Sequence, residues 1–296
     1  MSKNPVFRGA ATALITPLNE SGVDYESFGR LIDWQIDAGI SALVIAGTTG
    51  EGATLSDVEH RSVLSFAVER AGGRVPIIAG TGSNDTAYAI DLTRFACGIG
   101  ADAMLVVTPY YNKATQKGLV KMFTAIADAS DKPLILYNVP SRTGVNIEPE
   151  TYAALAGHPM IRGIKEANGN ISKIVETAEL VGDRLSIYSG NDDQIVPILS
   201  MGGDGVISVL SNLLPAQTVE ICTRFWSGDT AGSAALQCAY MPLIRALFRE
   251  VNPIPVKAAM AAMGFGENFL RLPLTRMEPE HEENLLGLMR SHGIIG

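Results

Sequence analysis

Lys165 carries the most chemical information in the chain. It ends the short aliphatic run Ile161-Arg162-Gly163-Ile164-Lys165. Period-two alternation puts it on the face of Ile161 and Gly163, opposite Ile164. A lysine held inside a dry core loses the hydration that favours its ammonium form, and a free amine is what Schiff-base formation with a carbonyl requires. A strand-end ion pair with the adjacent Glu166 is the competing reading. Tyr137 ends the preceding run, Leu134 to Tyr137, with the parity of Pro133 and Ile135, so its phenol is expected to share the interior with Lys165. A carbinolamine gains and loses protons on its way to an imine, and a hydroxyl chain of Tyr137, Thr48 and Tyr111 would carry them. Taken singly, each tyrosine also reads as a wedge between core and solvent.

Two further groups suit carboxylates. Gly47-Thr48-Thr49-Gly50-Glu51 reads as a tight loop in which the Thr49 hydroxyl and backbone N–H groups face a small anion. Arg142, in Tyr137-Asn138-Val139-Pro140-Ser141-Arg142-Thr143-Gly144, offers a planar fork for a second carboxylate, or else a solvated loop side chain.

These residues need a scaffold that gathers strand ends. Strand candidates fall at Ala10 to Ile15, Ala42 to Ala46, Pro76 to Ala79, Ala103 to Val107, Leu134 to Tyr137, Ile161 to Lys165, Leu185 to Ser189 and Gly205 to Val209. Stretches of helical periodicity separate them, the pattern of parallel strands joined by crossover helices. The fold class is α/β, a (β/α)8 TIM barrel over residues 1–228, with a C-terminal helical extension over 229–296. In such a barrel the site lies where strands end. An open doubly wound sheet shares the alternation, but its nucleotide fingerprint is missing from the first turn. Ser56 with Glu59 forms a capping box, Gly72 and Gly73 end that helix, and Asp24, Asn84 and Pro149 mark three further helix starts.

Composition narrows the function. The chain has 296 residues, 47% of them hydrophobic and 18% charged, which suits a single large core and not disorder. A net charge of −8 gives no field to draw in nucleic acid or anionic lipid. The apolar runs fall far short of the roughly 20 residues of a membrane-spanning helix, and Gly9 to Ile15 reads as a first strand, not as part of a leader. Cys97, Cys222 and Cys238 lack metal-type spacing and read as small buried side chains in a reducing cytoplasm. Gly80-Thr81-Gly82 is followed by Asp85 where a dinucleotide fingerprint needs its third glycine. The four histidines are scattered, so neither a metal nor a nucleotide cofactor is expected.

Jointly, Gly47 to Glu51, Tyr110-Tyr111-Asn112, Tyr137 to Gly144, Ile164-Lys165-Glu166-Ala167, Gly205-Val206-Ile207-Ser208 and Asn252-Pro253-Ile254-Pro255-Val256-Lys257 give the chain its family likeness. It resembles the dihydrodipicolinate synthases, within the pyruvate-dependent class I aldolase superfamily that includes N-acetylneuraminate lyase. The resemblance extends over essentially the whole length. It implies a Schiff base between Lys165 and pyruvate, whose enamine attacks aspartate β-semialdehyde to give 4-hydroxy-tetrahydrodipicolinate on the route to lysine. It implies proton relay by Thr48, Tyr111 and Tyr137, pyruvate carboxylate binding by Thr49 and its loop, and semialdehyde carboxylate binding by Arg142. Gly190 and Ile207 match main-chain positions that line the pocket.

The family's usual assembly is a homotetramer, a dimer of dimers in which the residue matching Tyr111 enters the partner's site. His60, Asn84 and Tyr110 match positions that bind lysine in feedback-inhibited members. Asp57 and Tyr88 stand where those members commonly have histidine and glutamate, so weak or absent lysine inhibition is expected. Arg142 favours the semialdehyde over the polyol aldehydes of a sugar-acid aldolase, the enzymatic alternative. A non-catalytic binding barrel is the alternative of another class.

Overall fold

Each of the eight aliphatic runs forms a strand in the computed structural model, which describes residues 3–296. These are β1 (Gly9–Ala13), β2 (Ala42–Ile45), β3 (Ile77–Gly80), β4 (Ala103–Val107), β5 (Leu134–Asn138), β6 (Ile161–Glu166), β7 (Ser186–Ser189) and β8 (Gly205–Ser208). Every strand pairs in parallel with its sequential neighbour, and β8 closes on β1 through Gly9 opposite Gly205 and Thr12 opposite Ser208. Gly205 must be glycine, because it has φ +143° and an added Cβ would lie 1.8 Å from the Gly9 carbonyl oxygen.

Alternation along the strands builds two apolar layers. Inward residues, among them Ala11, Val44, Ile78, Leu105, Ile135, Tyr137, Tyr188 and Ile207, fill the barrel. Outward residues such as Leu43, Ile45, Val106, Leu136 and Ile164 pack under the helices. Phe7 stacks on Tyr188 at 4.3 Å between centroids and accepts the Tyr188 hydroxyl at its carbonyl (2.8 Å), which plugs the end where the strands begin. The interior opens at the strand C-termini.

The crossover helices are α1 (Tyr25–Asp37), α2 (Asp57–Ala71), α3 (Thr86–Gly98), α4 (Gln116–Asp128), α5 (Pro149–Leu155), α6 (Ile171–Val181), α7 (Ile195–Ser200) and α8 (Pro215–Trp226). The Ser56/Glu59 capping box is present in both directions, Gly72 ends α2 at φ +56°, Asp24 caps α1 and Pro149 opens α5. Asn84 does not cap α3. Asp85 does, accepting from the Ala87 N–H at 2.9 Å, while the Asn84 amide is drawn away to the Tyr110 carbonyl.

Beyond Asp229, which caps its first helix, the chain forms α9 (Thr230–Leu247), α10 (Ile254–Ala262) and α11 (Pro279–Ser291). Helix α9 packs along α8, and the segment entering α10 returns to the open end of the barrel. Several small elements escaped the periodicity, among them a hairpin of Leu18–Asn19 with Gly22–Val23 and a single helical turn, Pro140–Thr143, that carries Arg142. All three cysteines are free, but of the three expected to be buried only Cys222 is: Cys97 is half-buried and Cys238 is exposed on α9. No helix among the described residues is long and apolar enough to cross a membrane.

Candidate active site

Parallel pairing aligns Tyr137 of β5 with Lys165 of β6, and Lys165 with Tyr188 of β7. Paired residues in adjacent parallel strands face the same side, so all three side chains enter the barrel. The Lys165 ammonium nitrogen lies 4.1 Å from the centroid of the Tyr137 ring, and the residue is 6% exposed. No carboxylate among the described residues comes within ion-pair distance of it. Glu166, the competing partner, turns the other way and accepts from the amide of Asn138 (2.9 Å), the hydroxyl of Tyr152 (3.0 Å) and the N–H of Asn168 (2.9 Å). Burial pushes Glu166 up to about 7 against the pull of those donors.

Beside Tyr137 opens a cavity of about 500 Å³, lined by Thr48, Arg142 and Asn252 and also by His60, Tyr88 and Tyr110. Its floor near β2 is tightly folded. Ala46 and Glu51 both lie in the left-handed region, at φ +55° and +53°, and a Cβ on Gly52 would fall 2.2 Å from the Ala46 carbonyl oxygen. Non-glycine residues hold that conformation only when their surroundings enforce it.

Thr49 is buried, and its hydroxyl accepts from the Asn252 side-chain amide at 3.0 Å, which leaves its own proton free to donate. The Arg142 guanidinium, otherwise exposed, donates to the Asn252 carbonyl at 2.8 Å. Asn252 therefore touches both groups expected to hold carboxylates. It belongs to a quoted motif, but only the return of the C-terminal segment reveals that contact. Asn252 Oδ1 is buried with no hydrogen-bond partner among the described residues.

The other expected residues fall into place unevenly. Gly190 bends sharply after β7, its N–H donating to the Glu166 carbonyl at 2.7 Å, with no room for a Cβ beside Ala167. Ile207 lies in the interior layer with Tyr137. Next to them Asp192 is buried and accepts from the Val209 and Leu210 N–H groups, at 3.1 and 2.9 Å. Burial pushes it up, whereas its hydrogen bonds and the nearby positive charge of Lys165 act in the opposite direction. Tyr111 does not join Thr48 and Tyr137: it is 93% exposed at φ +71°. One chain alone does not complete the expected hydroxyl relay.

At the far side His60 is buried, and its Nε2–H donates to the Gly80 carbonyl at 2.9 Å; burial lowers its pKa. Tyr110 is half-exposed, with its carbonyl held by Asn84. Asp57 accepts from the Tyr88 hydroxyl (3.0 Å) and from the Arg61 guanidinium (2.9 and 3.1 Å), which hold its carboxyl below the usual range.

Known proteins resemble this chain over nearly its whole length. The family model for the dihydrodipicolinate synthetase family matches residues 6–291. The 4-hydroxy-tetrahydrodipicolinate synthase of Lachnoclostridium phytofermentans is 53% identical over 292 residues, 98% of this chain and 99% of the relative. That of Caldicellulosiruptor saccharolyticus is 52% identical over 291 residues, 98% of each. Among solved structures, the dihydrodipicolinate synthase of Thermotoga maritima superposes with a TM-score of 0.96 at 43% identity, covering 98% of this chain and all of the other. The Acinetobacter baumannii protein, solved with pyruvate, gives 0.95 at 42% identity over 97% and 99%. With a closed barrel, an interior lysine beside a tyrosine and this likeness from end to end, the chain belongs to the dihydrodipicolinate synthetase family.

Proposed function

We infer that this enzyme condenses pyruvate with L-aspartate 4-semialdehyde and releases 4-hydroxy-tetrahydrodipicolinate, in the diaminopimelate route to lysine. One observation carries the reading: the nitrogen of Lys165 stands over the ring of Tyr137, which lines a cavity together with Thr48, Arg142 and Asn252, and Asn252 in turn holds the hydroxyl of Thr49. In this reading the amine attacks the keto carbon of pyruvate, and the carbinolamine loses water to give an imine. Loss of a methyl proton makes the enamine, whose carbon bonds to the aldehyde carbon of the second substrate. That substrate's amino group then attacks the imine carbon, closes the ring and returns Lys165 to the free amine.

Thr48 and Tyr137 move the protons of these steps. Thr49, its hydroxyl proton freed by Asn252, donates to the pyruvate carboxylate, and Arg142 receives the semialdehyde carboxylate. The main chain at Gly190 and Ile207 walls the pocket. Tyr111, exposed on its own chain, completes the relay in a neighbouring chain of a homotetramer, so dilution to single chains abolishes turnover. We place the enzyme in the cytoplasm with its substrates.

Consumption of the semialdehyde with pyruvate tests the reading. A protein that leaves it untouched but cleaves a sugar acid to pyruvate is the aldolase, and one that does neither is a binding barrel. Lysine at millimolar concentration is expected to leave the rate unchanged, because Arg61 and Tyr88 already occupy the Asp57 carboxylate. Half-inhibition below a millimolar would contradict that expectation.

A further inference from the structure

Lys257 and Glu51 form an ion pair at 2.7 Å in which each side chain is only 1% exposed. Burying two charges is costly, and a neutral apolar pair of similar shape is often at least as stable, so stability alone explains such a pair poorly. Its place in the fold suggests another use. Glu51 closes the turn after β2, accepting at its carbonyl from the Thr54 N–H (3.0 Å) and donating its N–H to the Thr48 carbonyl (3.2 Å). It does so at φ +53°. Lys257, on α10, also donates to the Thr16 carbonyl (2.8 Å), and the Thr16 hydroxyl donates to the Gly50 carbonyl (2.7 Å).

The ammonium thus joins three pieces of chain, namely the end of β1, the Thr48–Glu51 turn and the C-terminal extension. We propose that Lys257 and Glu51 are positioning residues for pyruvate: their buried pair locks the Thr48–Thr49 turn from the C-terminal extension and sets the geometry in which the keto acid is held. The inference rests on the reading of that turn as the pyruvate site. Burial works against the charge of Lys257 while Glu51 sustains it, so neither partner is replaceable alone.

The test uses the full-length protein in three forms: Lys257→Met, Glu51→Gln and the double variant. Each single substitution leaves a buried group without its partner, so Tm falls and the KM for pyruvate rises, roughly ten- to a hundredfold for a misplaced binding group. The double variant, with both charges gone, regains most of the lost Tm while its KM for pyruvate stays raised and kcat at saturating pyruvate changes less. Recovery of KM together with Tm would overturn the inference, as the pair would then be structural only. So would a lowered KM in Glu51→Gln, since added positive charge alone would then govern anion binding.

Should the double variant not fold, Lys257→Arg decides. A planar fork keeps the charge but does not reproduce the ammonium's contacts to both Glu51 and Thr16, so KM rises by more than the accompanying fall in Tm would explain, and an unchanged KM contradicts the proposal. The pyruvate-site reading is checked separately by borohydride trapping on the unaltered protein. If no adduct forms there, that reading fails; if the adduct forms but KM does not move in the variants, only the positioning role fails.

Discussion

Two lysines lie buried at the open end of the barrel, and their surroundings differ in kind. Lys257 is held by a carboxylate and a main-chain carbonyl, both within 2.8 Å. Lys165 faces an aromatic ring, with no carboxylate in ion-pair range among the described residues. The lysine whose hydrogen bonds are satisfied is tied to the turn it holds in place, whereas in the proposed reaction the one without a counter-ion has its nitrogen available to bond to carbon. Burial alone does not distinguish the two; the partners do.

Exchanging each lysine for methionine puts this contrast at risk most severely. Lys165→Met is expected to reduce turnover to background while the fold persists. Lys257→Met leaves Glu51 buried without its partner and is expected to cost about 3–5 kcal/mol of stability. Thermal melts beside steady-state rates separate the two, and equal loss of stability in both would erase the distinction.

Next in size is Tyr137→Phe, which keeps the ring against the lysine but removes the hydroxyl. A fall of about a hundred- to ten-thousandfold in kcat/KM is expected for a lost proton-transfer group. A variant as active as the parent would reduce Tyr137 to a packing surface. Arg142→Ala follows. Losing a charge-assisted contact worth about 1.5–3 kcal/mol raises the KM for the semialdehyde roughly ten- to a hundredfold, with the KM for pyruvate held. Equal change in both constants would show that Arg142 supports the pocket as a whole.

The smallest effect concerns the strand face behind Lys165. Glu166 stands at about 7 when folded against an ordinary value of 4.5, so the folded protein binds that proton more tightly than the unfolded chain. Its favourable contribution is complete below pH 4.5 and disappears as pH rises through 7. Glu166→Gln is expected to flatten the decline of Tm between about pH 5 and 8, whatever its absolute stability. A slope identical to the parent's would contradict the assignment.

Much of this was legible in the residues themselves. Period-two alternation placed Lys165 and Tyr137 on one face, and their pairing across β5 and β6 follows from the order of the strands. Strand ends were less certain because local contacts take over there. The Leu14 N–H still joins the Val44 carbonyl, but that of Ile15 turns to the Asn212 side chain, which ends β1 before the apolar run does. Asn84 and Asp85 are both good caps, and only a distant carbonyl, that of Tyr110, decided between them. The site's wiring was least visible. Asn252 lies 203 residues from Thr49 along the chain, and Lys257 lies 206 from Glu51. Contacts at such separations leave no local periodicity to read, although the motif around them was conspicuous. Tyr111 illustrates the converse, since its type and position suit the relay while its exposure keeps it out of this chain's own site.

Borohydride reduction in the presence of pyruvate, followed by peptide mass mapping, tests the difference between the two lysines most directly. The peptide containing Lys165 is expected to gain the mass of one reduced pyruvate, and addition of the semialdehyde is expected to protect it while turnover lasts. The peptide containing Lys257 is expected to stay unmodified. An adduct on Lys257, or none on Lys165, would contradict a Schiff base at the unpaired lysine.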